Sequence, residues 1–143
     1  MSRKIFLNFC VPDLGRTISF YEAIGFKKDA NFSDDSAACM TLSSNASINL
    51  MLLTPDKFGE FNPAHKTVAD AKTTEVLTAL TADRKEEVDE TVEAAVKAGG
   101  TADPTTIPQM EGMYGRSFES PDGHIWEILW MDMAALQGSD VAC

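Results

Sequence analysis

Apolar residues recur along the chain with two alternating periods. Ile5 to Val11 is a short, nearly continuous apolar run, which predicts a strand buried on both faces. Asp13 follows as a candidate N-cap, because its carboxylate can accept an orphan backbone N–H. Leu14, Ile18, Tyr21 and Ile24 then keep helical spacing, and Gly25 supplies the stop. Strands are predicted at Phe26 to Phe32, Ala37 to Leu42 and Ser47 to Leu53, separated by the turn-rich clusters at 33–36 and 43–45.

The second half repeats that order. Val76 to Ala82 reads as a strand, and Asp83 as a helix N-cap with Glu86 as its capping-box partner. Val88, Val92, Ala95 and Val96 lead the apolar stripe of that helix, which Gly99-Gly100 ends. Strands are predicted at Ala102 to Gln109, Met113 to Glu119 and Ile125 to Met131, with the turn Ser120-Pro121-Asp122-Gly123 before the last. The pattern is therefore β-α-β-β-β, written twice. Module one spans 4–53, a linker 54–75, module two 76–131 and a frayed tail 132–143. The predicted class is α+β: two paired βαβββ modules, each a curved mixed sheet backed by one helix, together forming a cup within a single domain. The linker, with Phe58 and Phe61, is expected to be a surface crossover containing a short helical turn.

Charge and cysteine usage narrow the function. Twelve basic against 22 acidic residues give a net charge of −10, which argues against nucleic acid and against an anionic membrane surface. No apolar stretch approaches the roughly 18 residues a membrane span needs. Met1 to Lys4 leads straight into the first strand without the apolar core of a secretory signal. Cys10, Cys39 and Cys143 have no metal-ligand spacing and suggest a reducing, cytoplasmic setting, the first two as buried hydrophobes and the last as a tail thiol. His65 in the linker and His124 at the last turn read as non-functional, and no serine or cysteine nucleophile constellation is present.

Strand parity brings out the candidate site residues. Phe6, Asn8 and Cys10 share one face, and so do Asn49, Met51 and Leu53. Each asparagine is a polar group among apolar ones and so requires a protein, water or ligand partner. On the last strand, Trp126, Ile128 and Trp130 form a bulky row suited to a helix, which sends Glu127 to the opposite face. If residues 120–123 are the hairpin loop, Arg116 lies opposite Glu127 on the same face, as a salt-bridge partner or as an anchor for an anionic ligand. Tyr114 shares the face of Arg116. Glu127, if free in an apolar cup, is a candidate general base.

Val11-Pro12-Asp13-Leu14 with Ser19-Phe20-Tyr21 and Gly25-Phe26, followed by Ala98-Gly99-Gly100 and Ser120-Pro121-Asp122-Gly123-His124-Ile125-Trp126-Glu127, resembles the paired modules of the vicinal oxygen chelate superfamily. That group includes glyoxalase I, fosfomycin-resistance enzymes, extradiol dioxygenases and bleomycin-resistance proteins. The resemblance spans about residues 4–131 and implies a divalent metal held by the first and last strands of each module. The corresponding positions here are Asn8, Asn49, Leu77 and Glu127, of which Glu127 alone matches the expected donor type. The resemblance thus implies a small-molecule binding protein of the bleomycin-resistance type, without a metal cofactor. Its residues would be Asn8, Asn49, Met51, Tyr114 and Arg116 for the ligand, with Glu127 the one catalytic candidate. The alternatives are a metal-dependent lyase or isomerase like glyoxalase I, in which a carboxylate shuttles a proton, and a non-catalytic dimeric scaffold. A homodimer is the expected assembly.

Overall fold

A computed structural model describes residues 2–136. It divides into two compact units, 1–73 with 121–123, and 74–120 with 124–143.

The first unit holds strands β1 (Ile5–Cys10), β2 (Phe26–Asp29), β3 (Ala37–Leu42) and β4 (Ile48–Leu53), with helices α1 (Leu14–Ala23) and α2 (Pro55–Phe61). The strands form a mixed sheet in the order β1-β4-β3-β2, with β1 parallel to β4 and the other pairs antiparallel. Asp13 caps α1 by accepting the Arg16 N–H at 3.0 Å. The buried face of α1 is Thr17, Phe20 and Tyr21, rotated from the predicted stripe, and Tyr21 meets both Phe20 and Phe26 edge to face. Facing this helix, the sheet presents Leu50, Leu52, Ala38 and Met40, all fully buried. Burying such side chains is worth about 1.5–3 kcal/mol for each large one. β2 stops at Asp29, and Ala30–Phe32 turns instead into a single 3-10 turn, because the Asp29 side chain accepts the Asn31 N–H and the chain leaves the ladder. The crossover does contain a short helix, α2, capped by the Thr54 hydroxyl.

The second unit repeats the topology with β5 (Leu77–Thr81), α3 (Lys85–Lys97), β6 (Thr101–Ala102), β7 (Met113–Glu119) and β8 (Ile125–Met131), in the sheet order β5-β8-β7-β6. Val88, Val92 and Ala95 of α3 are buried, as are Phe118, Trp126 and Ile128 of the sheet, while Val96 is exposed. The Phe118 and Trp126 rings, cross-strand neighbours, lie parallel at 6.3 Å. Asp83 is not the cap of α3. The helix begins one residue later, after Arg84, which makes no side-chain cap and instead pairs with Glu86, Glu87 and Glu90. Acidic residues in a first turn stabilise the helix dipole, so the start tolerates the missing cap. β6 is two residues long, where a strand from Ala102 to Gln109 was predicted; Asp103, at φ 53, turns the chain out of the ladder. The last helix, α4 (Met133–Leu136), occupies the start of the predicted tail; Cys143 and the rest of that tail lie outside the described residues.

Candidate functional site

Paired residues in register point to the same side of a sheet, so the pairing of β1, β4 and β3 assigns the faces. Phe6 pairs with Asn49, Asn8 with Met51, and both Asn49 and Met51 continue to Thr41 and Cys39. The first sheet therefore carries Phe6, Asn8, Asn49 and Met51 on the face away from α1, as parity predicted. Their environments differ. Asn49 is buried and fully engaged: its amide oxygen accepts from the Thr41 hydroxyl at 2.7 Å, and its nitrogen donates to the carbonyls of Ile5 and Ala46 at 3.3 Å. A polar group so satisfied stabilises the sheet and has little left for a ligand. Asn8 is exposed, with one long contact to the Phe6 carbonyl at 3.4 Å.

Phe6 and Met51 form one wall of an open depression of about 410 Å³, completed by Asn31, Phe32, Ser33 and Asp34. The sequence reading missed the Asn31–Asp34 segment, because it assigned residues up to Phe32 to a strand. The signal was Phe32 beside a turn-rich cluster, an aromatic at the one place a loop can fold over the sheet. Phe32 is 68% exposed and Phe6 48%, which is costly for phenyl rings unless something covers them. Asp34 is rigidly set: one carboxylate oxygen accepts from the Ser36 and Ala37 N–H groups and the Ser36 hydroxyl. These bonds hold its carboxyl below the usual carboxylate range.

In the second sheet the predicted pairing is off by one residue. Glu119 pairs with Ile125, Ser117 with Glu127 and Arg116 with Ile128. The connection is Ser120–His124, closed by the Ser120 hydroxyl accepting the His124 N–H and by the Ser120 N–H donating to the His124 carbonyl. A slip of one residue moves every side chain to the other face. Arg116 and Tyr114 consequently stand on the α3 side, not with Glu127. There Arg116 makes a bidentate pair with Asp103, at 3.0 and 2.6 Å, and donates to Asp89 at 3.0 Å; Tyr114 donates to Asp89 at 2.7 Å. Tyr114 and Arg116 hold the Asp89 carboxyl below its usual range, and Arg116 does the same to Asp103. Two carboxylates thus neutralise the cation that was expected to anchor a ligand.

Glu127 lies on the opposite face, half-buried, with no hydrogen bond or ion pair among the described residues. Its neighbour Ser117 is engaged with the backbone of Thr105, whose own buried hydroxyl has no hydrogen-bond partner among the described residues.

The metal positions implied by the resemblance can be tested on these donors. Asn49 is a neutral amide whose oxygen already accepts from the Thr41 hydroxyl, Leu77 offers no donor, and Asn8 is a neutral amide. Among the described residues no three His, Cys, Asp or Glu side chains are grouped to hold a metal. The donor set does not fit a divalent ion, which needs three or four strong ligands. Cys39 is buried as expected, whereas Cys10 is only partly so; both thiols are pushed up chiefly by burial.

The family model described as Glyoxalase/Bleomycin resistance protein/Dioxygenase superfamily matches residues 6–128. No curated protein matches the chain significantly. Among solved structures, a hypothetical protein of S. aureus is 25% identical, with a TM-score of 0.72 over 91% of this chain and 94% of that one. A glyoxalase/bleomycin resistance protein/dioxygenase family enzyme of Burkholderia phytofirmans is 16% identical, with a TM-score of 0.73 over 91% and 99%. The fosfomycin resistance protein FosX of Listeria monocytogenes, solved with manganese(II) and sulfate, is 18% identical, with a TM-score of 0.63 over 90% and 89%.

Proposed function

Because the chain belongs to the Glyoxalase/Bleomycin resistance protein/Dioxygenase superfamily, we propose that it binds a small organic molecule, without a metal, on the face of the first sheet opposite α1. The observation that carries this reading is the depression of about 410 Å³ walled by Phe6, Phe32 and Met51, with polar groups of Asn31, Ser33 and Asp34 at its margin. Apolar walls with a few convergent polar groups, in a volume of a few hundred Å³, are what small-molecule sites share. Met51 adds an adaptable thioether surface. The protein acts as a homodimer in this reading.

The test is a titration with a library of small aromatic fragments, followed by amide chemical shifts. Binding fragments should perturb Phe6, Asn31–Asp34 and Met51, and Phe6→Ala should weaken them about tenfold. A library in which no fragment perturbs those amides overturns the reading.

One observation favours a second reading. Glu127 is a half-buried carboxylate with no hydrogen bond or ion pair among the described residues. Such a group suits a general base in an enzyme of the lyase type. Metal content and a thermal-shift titration with nickel, zinc, manganese and magnesium separate the two, since a ligand of the folded state raises its stability by mass action. The expected outcome is no stoichiometric metal and no shift. A shift abolished by Glu127→Ala would reverse the ranking.

A further inference from the structure

We infer that the depression on the first sheet selects organic cations with a flat apolar body, using Asp34 as the counter-ion. The inference rests on the binding reading above and specifies its ligand class. Two phenyl rings, Phe6 and Phe32, border the same space, and a ring face attracts an ammonium or guanidinium group by its quadrupole. A carboxylate stands at the rim with one oxygen fixed by three donors and the other free of hydrogen bonds among the described residues. An acceptor so anchored is pre-organised, and little ordering entropy is lost when a cation arrives. The Asn31 side-chain amide, free of hydrogen bonds among the described residues, lies on the same margin and can orient a polar substituent.

The electrostatic setting points the same way. Asp29 and Lys27 both share the face of Cys39 and Met51 and offset one another, which leaves Asp34 as the local excess charge on a chain that carries −10. Lys57 is the cation whose charge reaches Asp34, but it is engaged elsewhere, 3.5 Å from Glu60 and 5.7 Å from the centre of the Phe61 ring. The field at the pocket therefore draws in cations and repels carboxylates.

The experiment compares three probes of similar size and different charge: benzyltrimethylammonium, benzyl alcohol and phenylacetate. Binding is followed by chemical shifts of the full chain at low ionic strength. The cation should bind about tenfold more tightly than the alcohol, and phenylacetate more weakly than either. Asp34→Asn keeps the oxygen that accepts from Ser36 and Ala37, so the loop should hold its shape; it should remove most of the preference for the cation and leave benzyl alcohol unchanged. Phe32→Ala should weaken the cation and the alcohol together. Added salt should lower cation affinity in the wild type more than in Asp34→Asn. Equal affinities for the three probes at these amides, unmoved by Asp34→Asn, would overturn charge selection and leave small-molecule binding standing. Failure of all three probes to perturb this surface would overturn the inference as well, and the fragment titration then decides the underlying reading by itself.

Discussion

Arg116 is held by two aspartates on the helix side of its sheet, so its contribution is to stability. The bidentate pair with Asp103 and the bond to Asp89 form a small network with Tyr114, and networks of this kind outperform isolated surface pairs. Both aspartates are about half exposed, which discounts the gain. Arg116→Ala should cost about 1 kcal/mol by urea denaturation and leave fragment binding unchanged. The pH dependence follows from the direction of the shifts. Asp89 and Asp103 have folded-state values lowered from 3.8, so their contribution is complete above that value and is lost as pH falls through the lowered ones. The Asp89→Asn, Asp103→Asn double variant should therefore lose less stability than the wild type as pH falls below 3.8. Asp122 is a stronger case. Its side chain is wholly buried in the first unit, accepting from the Thr17 hydroxyl and from Arg16 at 3.0 Å. Asp122→Ala removes both contacts, but the Thr17 hydroxyl still has the Asp13 carbonyl at 3.0 Å and Arg16 is half exposed to water, so the cost should be about 1–2 kcal/mol, read as a lower urea midpoint.

At the scale of elements, the two helix starts make a controlled comparison. Asp13 caps α1 and Asp83 does not cap α3. Asp13→Ala should lower stability by about 1 kcal/mol, and Asp83→Ala by less than about 0.5 kcal/mol, in the same denaturant series. Element order, the central strands and both hairpin-forming strands of the second unit were legible, because period-2 runs bounded by turn residues leave few alternatives. Other features were not. A capping box needs a helix phase that the sequence alone leaves free by one residue, and the Arg84 ion pairs settled it. The 3-10 turn at Ala30–Phe32 depends on an aspartate side chain capturing a backbone N–H, which competes locally with strand pairing. The β7–β8 register depends on a loop of five residues, closed by Ser120, instead of four. That single residue decided the candidate site: it left Phe6, Asn8, Met51 and Glu127 on the faces predicted for them and removed Tyr114 and Arg116. The tip of that loop is also sterically fixed. Gly123 has φ +91, and a Cβ there would sit 2.8 Å from the Ala71 backbone. Gly123→Ala combines backbone strain with that overlap and should cost about 1–3 kcal/mol.

At the scale of the whole molecule, the repeated topology leaves the same feature twice. β1 is an edge strand of the first sheet and β5 an edge strand of the second, and each has exposed apolar side chains at its start: Ile5 at 51% and Phe6 at 48% in β1, and Leu77 at 53% in β5 with Val76 at 62% just before it. Proteins avoid leaving long apolar edges uncovered, since an edge strand is a template for pairing with another chain. A net charge of −10 opposes association by self-repulsion but does not cover an edge. No helix among the described residues is long and apolar enough to cross a membrane, so a bilayer-spanning helix does not account for these side chains either. In the homodimer reading a second copy of the chain would cover them, with self-complementary surfaces closing a two-fold assembly. Sedimentation velocity over about 1–100 µM, a range that brackets ordinary dimer affinities, should give a species of twice the monomer mass. Leu77→Glu, which puts a charge on a side chain already half exposed, should shift that species toward monomer while leaving the circular dichroism spectrum unchanged. The wild type sedimenting as a monomer across the range would reject the homodimer, and a dimer indifferent to Leu77→Glu would place its interface away from β5.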